Sequence, residues 1–420
     1  MALSANSEAL ALLLILAFIA PVSAGPGNVT DRSPDAAPGI TPVPYTITLF
    51  IPTADMVHSN QVMDLVSGPN GEVVVATSFG LSVYNGTWST RHMTLDNVSE
   101  GLLGDYITAV EYDRNGSLWI GYPGGIQIYN GRYYQTIRDQ QLLKDTRIND
   151  LQRWNDDMWV ATGHSGVHRY RDGTWTWFQP GSPGGPGFYE ATGMAIDYLA
   201  NASLITTDRE GLWIVRSQDD PIRFECIAAG DSGYGLLDRV KSDPLGGVYF
   251  FNDSTVVHYS PAANFTPVLT GTDLSVTGPA INDLAAAPDG KLYLATDSGI
   301  YILENGELYR HLDRFEGIGT SSVVRTVNID AMNRVWFSTS ANVGFYADRS
   351  GPSAPVAIET VVPATPATPE VTVPATPAAR AGAAITAPAP VSASESGGIG
   401  AVIDPLVQAI RNLLSGLGLK

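Results

Sequence analysis

The chain has 420 residues with 43 Gly, 28 Pro and only 16% charged residues, a composition of turn-rich β structure that excludes a helical bundle. Its formal charge of −18 argues against nucleic acid and anionic membrane surfaces as partners, because both need clustered Lys and Arg. One cysteine, Cys226, excludes an intrachain disulfide, so core packing and hydrogen bonds must hold the fold, and the thiol is expected to be buried and inert.

The N-terminus reads as an export signal over residues 1–24. Ala9 to Ala20 is a 12-residue apolar run, too short for a bilayer-spanning helix, and Val22-Ser23-Ala24 is a small-residue cleavage site. The flank before it carries Glu8 and no Lys or Arg. Residues 25–44 are expected to be disordered. Seven of the 19 asparagines stand in Asn-x-Ser/Thr: Asn28, Asn85, Asn97, Asn115, Asn201, Asn252 and Asn264. Random placement gives roughly three, so the excess supports an exported glycoprotein.

From residue 45 the chain repeats. "NGEVVVATSFGLSVYNG" begins at Asn70 and "NGSLWIGYPGGIQIYNG" at Asn115, and five further copies begin at Asn155, Asn201, Gly246, Asp289 and Asn333. The first turn falls at Gly71, Gly116, Asp156, Ala202, Gly246, Gly290 and Asn333, spaced by 40 to 46 residues. The second bend falls at Gly80, Gly125, Gly166, Gly211, Thr255, Gly299 and Asn342. A period near 44 with four strand-like segments per unit is a β-propeller blade, and helical solenoids show a 3.6 periodicity absent here. The expected fold is therefore all-β, a seven-bladed propeller of four-stranded antiparallel blades over residues 45–350.

Closure is also readable. The seventh copy has no outer strand before "DRSGPSAPVAIET", whereas Thr46–Phe50 aligns with the outer-strand position of other copies. Thr46–Phe50 is expected to complete blade 7 and fasten the ring, leaving no exposed sheet edge there.

The composition changes after about Ser350. Residues 351–397 are Pro/Ala/Thr-rich, an extended linker that cannot bury a core. Residues 398–420 carry Leu406, Val407, Ile410, Leu413, Leu414 and Leu417 at helical spacing, with Asp404-Pro405 as the helix start. This amphipathic helix reads as a docking element for a partner groove, for self-association or for peripheral contact with a membrane interface.

Chemistry is sparse. No Gly-x-Ser-x-Gly elbow and no EF-hand loop is present, and His164-x-x-x-His168 straddles the Gly166 bend, which separates the two rings. No cofactor and no catalytic residue is assigned. Asp64, Asp150 and Asp283 hold matching places near the start of the inner strands, with Ala109, Ala195, Arg239 and Thr326 in the other blades. They can bind a cation at the channel mouth, or fill the wet channel by accepting bonds from the neighbouring blade. The variable connections offer a binding face, the longest being residues 179–191, 217–239 and 260–280. Trp175, Trp177, Tyr189 and Tyr234 lie near them and are the aromatic candidates for stacking on a sugar ring.

"ITAVEYDRNGSLWIGYPGGIQIYNG" and "INDLAAAPDGKLYLATDSGIYILENG" resemble the two-component regulator propeller repeat, with its D-x-x-G-x-L-W-I-G-T pattern followed by G-L and an aromatic. The resemblance covers roughly residues 45–348 and implies a sensor-type propeller that recognises extracellular ligands, without a kinase or regulator domain here. The leading expectation is a secreted, N-glycosylated, non-enzymatic scaffold at the cell surface that binds an extracellular protein or glycan. Two others are a structural subunit assembled through the C-terminal helix, and a lyase or glycan hydrolase, since streptogramin lyases use similar propellers.

Overall fold

Each repeat alternates apolar residues that need cover on both faces, so a single meander has to pack against others. The computed structural model describes residues 29–32, 44–53, 56–91, 100–139, 141–216, 221–229, 232–270 and 279–348. These form seven antiparallel sheets, the blades of a propeller. Strand a, the inner strand, is Val62–Ser67, Ala109–Tyr112, Ile148–Trp154, Ala191–Asp197, Arg239–Ser242, Ile281–Ala286 and Val324–Ile329 in blades 1 to 7. Strand d, the outer strand of blades 1 to 6, is Trp88–Arg91, Tyr134–Ile137, Thr174–Phe178, Phe224–Ala228, Asn264–Leu269 and Glu307–Leu312.

Blade 7 closes as expected. Tyr45–Phe50 is its strand d and pairs antiparallel with Val343–Asp348, from Tyr45 opposite Asp348 to Phe50 opposite Val343. A fifth strand, Val29–Arg32, pairs on its outer side, within the segment read as disordered. Two segments read as long loops, 217–239 and 260–280, prove to contain the outer strands of blades 4 and 5. The export signal, the linker, the C-terminal helix, Asn28 and Asn97 lie outside the described residues.

The core is divided among the blade interfaces. Seven buried apolar clusters occur among the described residues, each joining one blade to the next. The second apolar residue of strand b supplies the wedge: Trp119 in blade 2, Trp159 in blade 3, Tyr249 and Tyr293 in blades 5 and 6, and Trp336 in blade 7. At the closing interface Phe50 stacks on Trp336 at 6.2 Å and meets Trp88 edge-on at 5.1 Å, with Tyr84 5.3 Å away.

The glycine bends are sterically required. Gly125 has φ 138°, and a Cβ there would sit 2.6 Å from the carbonyl oxygen of Ile137. At the first turn of blades 3 and 4 the left-handed residue is Asn155 or Asn201, one position before the aligned Asp156 and Ala202. Asparagine tolerates that conformation better than most residues. Cys226 is exposed rather than buried, because it lies on the outer strand of blade 4, none of whose residues is buried, beside a register shift against strand c.

Removing the N-terminal closure is expected to open the ring. Phe50→Ala is expected to cost about 3–5 kcal/mol, read as a lower Tm by calorimetry, and deletion of residues 45–52 more. An unchanged melting curve in the deletion would show that the ring does not depend on this strand.

Candidate functional site

Strand a of every blade faces the central channel, and alternation along it sends two layers of side chains inward. The first layer holds Asp64, Ala109, Asp150, Gly193, Arg239, Asp283 and Thr326, judged by register with strand b. Gly193 replaces the aligned Ala195, because in blade 4 the a–b hairpin and the b-to-c turn are each one residue longer than in blades 1 and 2. A bulge at this level in blades 1, 3, 4, 6 and 7 turns the strand as it enters the channel.

The three aspartates join blades. Asp64 accepts from its neighbour Leu65 N–H at 2.8 Å and from Val110 N–H of blade 2 at 2.8 Å. Asp150 accepts from Leu151 N–H and, across the interface, from Met194 N–H at 2.7 Å. Asp283 does the same with Leu284 N–H and Val327 N–H. Each carboxylate thus has both oxygens engaged with backbone donors. Among the described residues no group of three His, Cys, Asp or Glu side chains stands where it could hold a metal ion.

The other interfaces use different groups for the same purpose. Between blades 2 and 3, Glu111 accepts from its neighbour Tyr112 N–H at 2.7 Å and faces the charge of Arg153. Ile196 N–H donates to Ser242 Oγ between blades 4 and 5, and Arg239 donates to the carbonyls of Ile281 and Asn282 between blades 5 and 6. Asn328 Nδ2 donates to the Leu65 carbonyl at 2.8 Å, tying blade 7 to blade 1. Six of the seven interfaces therefore carry a hydrogen-bonded clamp beside the axis.

Below the aspartates lies the second layer, with Glu111, Gln152, Lys241 and Asn328 around a cavity of about 260 Å³. Sequence reasoning missed these residues, although each stands two positions beyond the first-layer site of its blade. Lys241 Nζ lies 3.5 Å from Asp283 and also faces Asp64 and Asp150; the attraction of these carboxylates raises its pKa, so it stays charged. Burial pushes Asp150 up to about 7, helped by the charge of Asp64, and burial pushes Glu111 up to about 7. Asp64 is raised by burial as well, with Lys241 opposing.

The aromatic candidates do not form one site. Trp175 is buried between blades 2 and 3, with Trp119 at 6.0 Å and Tyr170 at 5.1 Å, and is core. Trp177 is half-buried, donates its indole N–H to the Leu142 carbonyl and lies 4.6 Å from Lys144 Nζ. Tyr234 is half-buried against the core between blades 4 and 5. Tyr189 alone is exposed, on the loop between blades 3 and 4. His164 is exposed on a turn, whereas His168 is buried with neither ring nitrogen bonded, and burial lowers its pKa to about 4.

The two ends of the propeller differ. The d-to-a loops and b-to-c turns emerge at one end, here the loop face. It exposes Ile51, Phe79, Tyr106, Leu142, Tyr189, Leu236 and Phe315, by amounts from 44% to 68%. These residues come from six of the seven d-to-a loops and one b-to-c turn. The opposite turn face also exposes apolar residues, among them Tyr133, Tyr198 and Leu308, and three of them, Leu199, Leu245 and Met332, reach the next blade. Carbons of Leu199, Leu245 and Met332 lie beside Gly246, Gly290 and Gly71, 2.4 to 3.7 Å from where a Cβ would stand.

The architecture is that of a seven-bladed β-propeller whose variable loops gather at one end. Residues 101–124 match the model of the two component regulator propeller repeat, and the chain carries that repeat. Among solved structures, the chain is similar to the extracellular domain of a protein described as a hybrid two component system of B. thetaiotaomicron. The identity is 18%, the TM-score 0.59, and the match covers 72% of this chain and 42% of that one. The extracellular domain of a described one component system from the same organism gives 18% identity and TM-score 0.57, covering 71% and 39%. Virginiamycin B lyase from Staphylococcus aureus gives 11% and 0.54, covering 72% and 99%. This chain thus spans about two fifths of the two B. thetaiotaomicron chains, and likeness at these identities establishes the fold alone. No curated protein matches the sequence.

The channel carboxylates make stability depend on pH in a defined direction. Asp150 and Glu111 titrate near 7 in the folded chain, above their usual 3.8 and 4.5, so the fold holds protons that the unfolded chain has released. Stability is therefore gained as pH falls through about 7 and lost as it rises. His168 acts oppositely, but only below its ordinary 6.5. Tm is expected to be higher at pH 6 than at pH 8 by scanning calorimetry, with a smaller difference in Glu111→Gln. An equal difference in that variant would remove Glu111 from the account.

Proposed function

We propose that the protein is exported, carries N-linked glycans on its turn face, and uses its loop face as a non-enzymatic binding surface for an extracellular protein or glycan. The observation that carries this reading is the ring of large apolar side chains exposed around the loop face. Rings of that kind on a rigid scaffold are suited to recognition, because hydrophobic groups left in water favour a partner that covers them.

The sequons support the same polarity. Asn85, Asn115 and Asn201 lie on a-to-b or c-to-d turns and Asn264 opens strand d directly after such a turn, hence all four are on the turn face. Asn252 is on the loop face, but its Nδ2 donates to the Leu236 carbonyl and its Oδ1 accepts from Ser254 and Thr255 N–H. A modified Nδ2 would lose the Leu236 bond. Sugars attached at the four turn-face sites leave the loop face clear. The channel aspartates, tied to backbone N–H groups, serve as clamps rather than as acid or base, which favours binding over catalysis. The extracellular origin of the two B. thetaiotaomicron domains is in keeping with export.

The loop face is tested with labelled full-length chain on a glycan array and on the surface of the cells that export it. Wild type is expected to bind one of them, and the triple variant Leu142→Ser, Tyr189→Ser, Phe315→Ser to bind at least about tenfold more weakly at unchanged Tm. Equal binding by the triple variant would move recognition off this face. Intact mass of the secreted protein reads glycosylation and leader cleavage together.

A further inference from the structure

One blade interface lacks its wedge. Where blades 2, 3 and 7 place Trp119, Trp159 and Trp336, blade 1 has Val74. Blade 4 also lacks an aromatic there, having Leu204, but Phe250, Tyr259 and Phe265 fill the space beside it. Between blades 1 and 2 the counterparts are Ile120, Tyr129 and Tyr134, which do not close over Val74, and a cavity of about 360 Å³ remains. That is within the size of small-ligand clefts, about 300–1,000 Å³.

The groove has an apolar floor of Val74, Leu81 and Leu118 and walls of Tyr112, Tyr129 and Tyr134. Its walls are preset. Tyr129 and Tyr134 stack at 4.6 Å, the Tyr129 hydroxyl donates to the Gly131 carbonyl, and the Tyr112 hydroxyl donates to Glu72. The lining includes Asn70 and Gly116 of a-to-b turns and Asn85 and Gly131 of c-to-d turns, so the groove opens on the turn face.

Asn85 is the sequon asparagine of Asn85-Gly86-Thr87, exposed on a turn set by Gly86 at φ 75°. The other turn-face sequons, Asn115, Asn201 and Asn264, line neither this groove nor the channel. We infer that the first sugars of an N-linked glycan on Asn85 fold back into this groove and take the place of the missing tryptophan. A pyranose ring presents an apolar C–H face suited to the tyrosine rings and a hydroxylated edge suited to Glu72, Asn70 and Ser89 at the rim. The tether supplies the sugar at high local concentration, so weak contacts suffice. The glycan is then a packing element of the propeller as well as a surface shield. This inference rests on the proposed glycosylation, and its test separates the two.

The full chain is made in a host that attaches N-glycans, and site occupancy is read by glycopeptide mass spectrometry. Asn85→Gln and Thr87→Ala are each expected to lower Tm by roughly 3 °C, whereas Asn264→Gln leaves it unchanged. Endoglycosidase trimming to the first sugar keeps the wild-type Tm, while complete removal reproduces the Asn85→Gln value. Adding Val74→Trp to Asn85→Gln restores Tm by filling the groove from the protein side. Occupied Asn85 whose complete deglycosylation leaves Tm unchanged overturns the packing role and leaves the glycoprotein reading intact. Sugar at the other sites with Asn85 bare overturns this inference alone, and no sugar at any site overturns both.

Discussion

Everything in this propeller depends on one pairing between distant parts of the chain, Tyr45–Phe50 against Val343–Asp348. Six blades are built from consecutive residues and need only local turns to form. The seventh needs a contact spanning nearly 300 positions, and without it the first and last blades present bare apolar faces. The closing strand brings Phe50 into the cluster of Tyr84, Trp88, Trp336 and Phe345, so it completes a sheet and an interface at once. The polar ring around the axis repeats that logic on a smaller scale. At six of the seven interfaces a side chain satisfies a backbone group of the neighbouring blade, and Lys241 balances part of the negative charge this gathers.

The fold was readable because it is repetitive. Turn asparagines and glycines, alternating strands and a period near 44 residues give seven aligned statements of the same structure, and errors in one copy are corrected by the others. What was unreadable is what differs from the repeat. The longer a–b hairpin and b-to-c turn of blade 4 together displace the alignment by two, so Gly193 stands where Ala195 is expected. Glu111, Lys241 and Asn328 face the channel by simple alternation, but chemical dissimilarity among blades hid the second layer. Trp175 looked available because outer strands sit near the rim, yet its ring turns inward to the core. The groove beside Val74 is a feature of absence, visible only once its walls are in place.

The two ends of the propeller have been given different chemistry. On the turn face, apolar residues such as Leu199 and Met332 lie against glycines of the adjacent blade, and four sequon asparagines occupy the tips. On the loop face, apolar residues of comparable size stand away from the scaffold, and the sequon asparagine Asn252 is held by hydrogen bonds. Both ends thus expose apolar side chains, and on the turn face three of them also touch the adjacent blade.

The register of the closing strands has a mechanical consequence. Tyr45 lies opposite Asp348, so the two chain segments leave the pairing at the same end. Tension applied along both segments would load one pair of residues after another, as a zipper opens, rather than all six pairs in parallel. A ring fastened in this way resists heat as a cooperative unit but yields stepwise to a pull applied at Tyr45 and Asp348.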